Sequence, residues 1–266
     1  MTADRLAPAA AEQAWVAARG PAPRARRRLG TAVLADAGVP TPWSVRAVLP
    51  PGSDAAEEAL AWCRDRHGGR GFGLLVRRSD VRARLSRLPD GDRLQPVDVL
   101  PVLALTDPDA LETAAPAPPG VRISTDPPHD DVVTAYGGWM DDLSLARCLV
   151  TPEDLTEAAR RFLVAYKDGR PVGCALLWLV AGTVALSGLG VVAEQRGHGV
   201  GAALVSAGVG VARQVADPDV VWMHATSPGA RLYRRLGFVH VDDHVVLGEG
   251  PEGPWAGGTA AGRQQA

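Results

Sequence analysis

Cysteine is scarce in this sequence, and the three present, Cys63, Cys148 and Cys174, stand far apart, show no C-x-x-C spacing and cannot all pair. A disulfide framework and a cysteine-held metal site are therefore unsupported, and a reducing cytoplasm is the expected setting. An excess of charge is also missing. The 28 Lys and Arg against 30 Asp and Glu leave a formal net charge of −2, which gives no global pull toward nucleic acid or an anionic membrane. The opening stretch from Met1 to Ala14 has no sustained apolar core and carries Asp4 and Glu12, so it does not read as a secretory signal. Val172 to Ala193 lacks charge and is long enough to cross a bilayer, but Gly182-Thr183 divides it into two runs rich in Val, Leu and Trp. That is the pattern of a buried hairpin and not of one spanning helix. With these classes set aside, 266 residues at 46% hydrophobic accommodate one large or two small domains.

The stretch richest in information runs from Leu186 to Val205 and reads strand, glycine-rich turn, helix. Arg196, Gly199 and Gly201 give R-x-x-G-x-G, followed by the apolar Ala202, Ala203, Leu204 and Val205. The first turn of a helix leaves N–H groups unpaired at the positive end of its dipole, so main chain alone can bind a pyrophosphate there. Glycines permit the close approach. Three readings compete: a turn with no ligand, a dinucleotide-binding fold on the G-x-G-x-x-A match of Gly188 to Ala193, and a family resemblance that a second block of sequence supports. The dinucleotide reading meets a wrong context, because a second loop with Arg196 and three more glycines intervenes before any helix.

A second block, Ser227-Pro228-Gly229-Ala230-Arg231-Leu232-Tyr233-Arg234-Arg235-Leu236-Gly237-Phe238, follows at a fitting separation. Together the two blocks resemble the GNAT superfamily of acetyl-CoA-dependent N-acetyltransferases, whose pyrophosphate loop carries R-x-x-G-x-G and whose closing helix ends L-Y-x-x-L-G-F. The resemblance implies an α/β (α+β) fold, a mixed and mainly antiparallel sheet with flanking helices, here preceded by a smaller α/β N-terminal domain. It implies acetyl-CoA as cofactor, held by Arg196, Gly197, His198, Gly199, Val200, Gly201 and Ala202. Main-chain groups of Leu189, Gly190 and Val191 would bond the pantetheine arm and polarise the acetyl carbonyl. Thr226 stands where family members often carry an Asn on the cofactor arm. Tyr233 matches the family tyrosine that protonates the departing thiolate; a tyrosine packed beside Leu232 and Leu236, its hydroxyl satisfied by backbone, is the alternative.

The family's carboxylate base has no counterpart, since the aligned positions are Ala185, Gly188 and Val221. His224 is the nearest titratable group, with an ordinary pKa of about 6.5 that suits proton transfer from an ammonium; a structural histidine is the alternative. Asp141 and Asp142 fall in the segment that would line the acceptor pocket, and read either as attractors of a cationic amine or as a solvated loop. The partners implied are a small-molecule or peptide amine acceptor, with no nucleic acid, metal or membrane, and a monomer or homodimer. A non-catalytic acyl-CoA binder would keep the loop and lose acid, base and acceptor pocket. A nicotinamide-dependent oxidoreductase is the third function class.

Along the chain, a helical pattern surrounds Trp15 and Val16, and the basic run Arg24, Arg26, Arg27 and Arg28 reads as a solvated face. Val45 to Leu49 predicts a strand, Ser53 to Cys63 a helix capped by Ser53, and Phe72 to Val76 a strand. This order matches that of Val220 to Leu247, as in a degenerate copy of the closing part of a GNAT unit. Trp62 would then stand near the place of Tyr233 and, lacking a proton to transfer at ordinary pH, implies no second active site. The proline-rich Ala114 to Gly120 reads as a linker. The expected domains are 1–115, 121–248 as the acetyltransferase, and a disordered tail over 249–266. Within the second, strands are expected at 121–124, 162–166, 172–180, 184–192, 220–225 and 238–247. Helices are expected over Asp130 to Tyr136, from the Thr151 cap to about Arg161, around Leu204 and around Ala230.

Overall fold

The computed structural model describes residues 3–18, 24–39, 44–67, 71–88, 91–107, 111 and 115–249. The chain divides into two compact units, Met1–Pro101 with Val241–Ala266, and Val102–His240.

The first unit opens with helix α1 (Ala3–Ala17), strands β1 (Ala25–Leu29), β2 (Ala32–Asp36) and β3 (Val45–Val48), helix α2 (Ala56–Arg66), strand β4 (Gly73–Arg77) and helix α3 (Val81–Leu85). Strand β5 (Leu94–Leu105) begins in this unit and ends in the other. In the second unit β6 (Val121–Ser124) precedes helices α4 (His129–Met140), α5 (Leu143–Leu149) and α6 (Pro152–Thr156). There follow β7 (Arg160–Lys167), β8 (Arg170–Val180), β9 (Thr183–Val191), α7 (Val200–Ala216), β10 (Val221–His224) and α8 (Ser227–Arg235). The last strand, β11 (Val239–Glu249), returns the chain to the first unit.

The same pairing sequence occurs twice. In the first unit β1–β2 and β2–β3 are antiparallel, β3–β4 parallel and β4–β11 antiparallel. In the second, β7–β8 and β8–β9 are antiparallel, β9–β10 parallel and β10–β5 antiparallel. The fold is thus mixed α/β and mainly antiparallel, with a repeat inside it. The repeat does not have the register that the sequence suggests. β3–α2–β4 is a strand, helix and parallel strand, so its counterpart is β9–α7–β10 and not the closing β10–α8–β11. Trp62 accordingly lies on the counterpart of α7, with the Arg66 guanidinium 5.6 Å from its ring centre, and has no relation to Tyr233.

The expected meander forms through two tight turns. Asp168-Gly169 joins β7 to β8 and Ala181-Gly182 joins β8 to β9, all four residues at positive φ, the backbone that the twist of a two-residue hairpin requires. Among the described residues no helix is long and apolar enough to cross a membrane. Alternation along the strands builds the core: Ala175 and Leu177, Val184 and Leu186, and Val221 and Met223 pack against Leu204, Val205 and Val209 of α7.

Several expectations need correction. The Thr151 capping box forms, but α6 ends at Thr156. Arg160 is drawn into a buried ion pair with Asp154 and lies 4.5 Å over the Trp178 ring, so the chain enters β7 where the helix was expected to continue. Ser53 does not cap α2, whose N-cap is Ala55; the buried Ser53 closes a turn with Pro50. The unit boundaries fall inside β5 and β11, because each of these strands completes a ladder in the unit opposite to the one its sequence neighbours occupy. β11 extends through Glu249, whose carboxylate takes the Arg64 guanidinium at 2.5 Å, while the rest of the expected tail lies outside the described residues. Arg26, Arg27 and Arg28 of the basic run are exposed as expected, but on strand β1, with Arg26 and Arg28 stacked 4.1 and 4.4 Å from the Trp15 ring centre, while Arg24 precedes the strand and is half-buried.

Candidate active site

β9 and β10 are parallel neighbours, yet their ladder holds two pairs only, Val221 with Val184 and Trp222 with Ala185. β9 runs on to Val191 and β10 to His224, so the strands part beyond Ala185 and Trp222. On the other side of β9, Leu176 faces Ser187 and Cys174 faces Gly190, which sets Gly188 and Leu189 opposite Ala175 alone. This is a β-bulge, with Gly188 at φ +55°, a conformation open to glycine at little cost. Main-chain groups of Leu189, Gly190 and Val191 thus border a gap with no strand in it.

The loop after β9 folds back on that strand, because Arg196 Nε donates to the Val191 carbonyl at 3.0 Å. Gly197 and Gly199 sit at φ +78° and +83°. Gly199 is the N-cap of α7 and offers no capping side chain, and the first helical bond runs from Ala203 N–H to Gly199 C=O at 3.0 Å. The N–H groups of Val200, Gly201 and Ala202 therefore face the space before the helix, where the dipole favours an anion. A Cβ on Gly201 would come to 3.3 Å from Leu232 Cδ2, so the glycine lets α8 lie against the helix start. Arg196 and His198 are exposed beside it and Val200 is buried.

Tyr233, on α8, is 8% exposed, and its ring meets Phe238 edge-on at 6.0 Å. Its hydroxyl makes no hydrogen bond with the described residues. Burial pushes its pKa up to about 12, so the proton is held. His224 is half-buried on β10, past the last pair with β9, and meets the Trp222 ring edge-on at 5.4 Å. With Val221 and Met223 committed to the α7 core, alternation puts His224 and Trp222 on the opposite face. Thr226 caps α8, its hydroxyl accepting from Gly229 N–H at 3.4 Å. Asp142 caps α5 by accepting the Leu145 N–H at 2.8 Å, and Asp141 is the left-handed C-cap of α4. Both are exposed, and the capping role accounts for Asp142 without any acceptor.

Sequence reasoning missed Tyr136 and Trp139 of α4, which rest on the bulge. A Cβ at Gly188 would overlap the Tyr136 hydroxyl, and one at Gly190 would overlap the Trp139 indole. The Trp139 indole nitrogen is buried and has no hydrogen-bond partner of good geometry among the described residues, with the Cys174 thiol as its electrostatic neighbour. Cys174 Sγ donates to the Gly188 carbonyl at 3.5 Å, and burial raises the pKa of both its thiol and the Tyr136 hydroxyl. The available signal was the pair of aromatics three residues apart around Gly137-Gly138, but the expected helix stopped at Tyr136, whereas α4 runs on to Met140 and sets both aromatics on one face.

The counterpart place in the first unit is closed. β3 and β4 stay paired from Arg46 to Val48 and on through Leu49 N–H to Leu75 C=O at 2.9 Å. The loop between β3 and α2 directs the carbonyls of Pro50 and Ser53 at the buried guanidinium of Arg84. A loop that presents carbonyl oxygens to a cation is the reverse of an anion site. Among the described residues, only the second unit has the opened strands and the glycine-capped helix.

Residues 158–240 match the family profile described as the acetyltransferase (GNAT) domain. No curated protein sequence matches the chain. Among solved structures, it is similar to a GCN5-related N-acetyltransferase from Kribbella flavida, with a TM-score of 0.68 and 23% identity over 96% of this chain and 98% of that one. It is also similar to a tandem GNAT protein from the clavulanic acid biosynthesis pathway, with a TM-score of 0.58 and 20% identity over 87% of this chain and 84% of that one. A GCN5-related N-acetyltransferase from Sphaerobacter thermophilus gives a TM-score of 0.52 and 21% identity, over 82% and 80%. The chain thus has the fold of these solved structures, and its residues 158–240 are similar to the acetyltransferase (GNAT) domain.

Proposed function

We propose that this protein transfers an acetyl group from acetyl-CoA to an amine of a small molecule or peptide. The observation that carries the reading is the parting of β9 and β10 directly beside the glycine-capped start of α7. Main-chain N–H groups of Val200, Gly201 and Ala202, with Arg196 beside them, take the pyrophosphate. The parted edge at Leu189, Gly190 and Val191 takes the pantetheine arm as an added strand and offers an N–H to the carbonyl oxygen as negative charge develops. Tyr233 holds the proton for the departing thiolate, and its unengaged hydroxyl is what favours catalysis over a binding role alone. His224, through water, is the group to receive the proton of the amine. The three cysteines are free, which suits a cytoplasmic setting. Thr226 is assigned to the cofactor arm more weakly, since its hydroxyl already caps α8.

The test is thermal unfolding with CoA, acetyl-CoA and NAD, since a ligand specific to the folded state raises its stability with concentration. We expect a rise with acetyl-CoA and CoA and none with NAD. Gly199→Val should abolish the rise, because a branched Cβ at φ +83° is strained and obstructs the helix start; the strain of roughly 1–2 kcal/mol leaves the protein folded. An undiminished rise in the variant would sink the loop assignment. Turnover is then read as thiol release across a panel of amines.

A further inference from the structure

We propose that Tyr136 and Trp139 limit the acyl group to acetyl and exclude chains of about four carbons or more. This rests on the reading of the β9–β10 gap as an acyl-CoA site. An acyl group held by main chain at Leu189, Gly190 and Val191 can extend to either face of the sheet or along the gap. The α7 face is filled, since Leu189 and Val191 pack there against the buried cluster that contains Val200 and Leu204. On the α4 face, a single carbon added to Gly188 already overlaps Tyr136, and one added to Gly190 overlaps Trp139. Along the gap, the space narrows to the Ala185–Trp222 pair, where Trp222 is fully buried and its indole donates to Thr183 Oγ1 at 3.0 Å.

The α4 wall cannot easily withdraw. A Cβ at Gly137 would lie 2.9 Å from Leu143, and one at Gly138 would lie 2.9 Å from Val192, so these glycines set α4 close against α5 and the end of β9. Bulky side chains held this closely yield to added volume only by leaving their rotamers or shifting backbone.

The experiment is calorimetric binding of CoA, acetyl-CoA and butyryl-CoA to the full chain. Acetyl-CoA should bind as tightly as CoA, and butyryl-CoA about ten- to a hundredfold more weakly, the discrimination that one or two methylenes can give. Trp139→Ala should bring butyryl-CoA to within about threefold of acetyl-CoA. Trp139→Phe, which keeps a flat ring and loses the indole N–H, should retain the discrimination. Butyryl-CoA binding to the parent protein as tightly as acetyl-CoA overturns the proposal, and this arm needs no variant to fold. So does unchanged discrimination in a Trp139→Ala protein with parental circular dichroism. Absence of binding by CoA and both esters overturns the cofactor reading itself, and this proposal with it.

Discussion

Tyr233 joins a ring fixed by burial to a hydroxyl with no partner among the described residues, and this division makes its role measurable. Tyr233→Phe keeps the ring, its contact with Phe238 and the fit against α7, so cofactor affinity should stay nearly unchanged. Turnover should fall. A positioned acid contributes roughly 10² to 10⁴ in rate, but a thiol of pKa about 8.5 already leaves tolerably near neutral pH. The expected fall is therefore about 10- to 100-fold, or some 1.4 to 2.7 kcal/mol of transition-state stabilisation. Single-turnover transfer at saturating acetyl-CoA isolates the chemical step, and equal rates there would make Tyr233 a packing residue. His244 offers a second test at this scale, on stability. It is 2% exposed, and burial lowers its pKa to about 4; Arg77 adds to the lowering, while Asp242 and Asp243 oppose it. Between that value and the ordinary 6.5 the unfolded chain binds a proton that the folded chain refuses, so stability falls as pH drops through this window. From pH 7 to 4.5 the contribution is about 2 to 3 kcal/mol. Urea unfolding at both values, for the parent and for His244→Leu, checks it. An equal acid loss in the variant would assign the effect to other groups.

At the scale of elements, legibility followed how local the determining physics is. The meander β7–β8–β9 was readable because Asp168-Gly169 and Gly182 mark turns that only residues tolerant of positive φ can make. The start of α7 was readable for the same reason, since Gly197 and Gly199 adopt the backbone their identity suggests. Glycines inside a strand, as Gly188 and Gly190 are, mark a bulge or a close approach, but not which chain approaches: that depends on α4, distant in sequence, laying Tyr136 and Trp139 on them. The end of α6 was not readable, because the competing force is the burial of Arg160 with Asp154 and Trp178, a tertiary pairing that overrides helix propensity. Strand β5 escaped notice for a local reason. Pro96 and Pro101 interrupt its pattern, and proline within a run argues against a strand unless the ladder leaves its nitrogen unneeded. The parting of β9 and β10, on which the candidate site depends, has no signature in either strand alone.

At the scale of the molecule, the consequence turns on where the chain can be cut. The composition places a boundary at the proline-rich stretch before Val121, yet the ladder that β10 makes on its far side is with β5: Val221 with Leu105, Trp222 with Ala104, Met223 with Leu103 and His224 with Val102. A fragment 121–248 would lack that strand, and would carry residues 244–247, whose partners Leu74 to Arg77 it lacks. Two unpaired edges would then be open, one of them the strand that bears His224. Open, apolar edges pair with other chains. A fragment 102–240 keeps the β5 segment and ends before the orphaned one. We expect 121–248 to associate or precipitate, and 102–240 to be the more soluble of the two and to bind CoA, because all of the proposed cofactor-binding residues lie within it. Sedimentation of both fragments with parallel CoA titration decides the matter. A monodisperse, CoA-binding 121–248 would show that β10 tolerates an open edge and that β5 is dispensable to the site. Precipitation of 102–240 alone would show that the second unit depends on more of the chain than its own ladder.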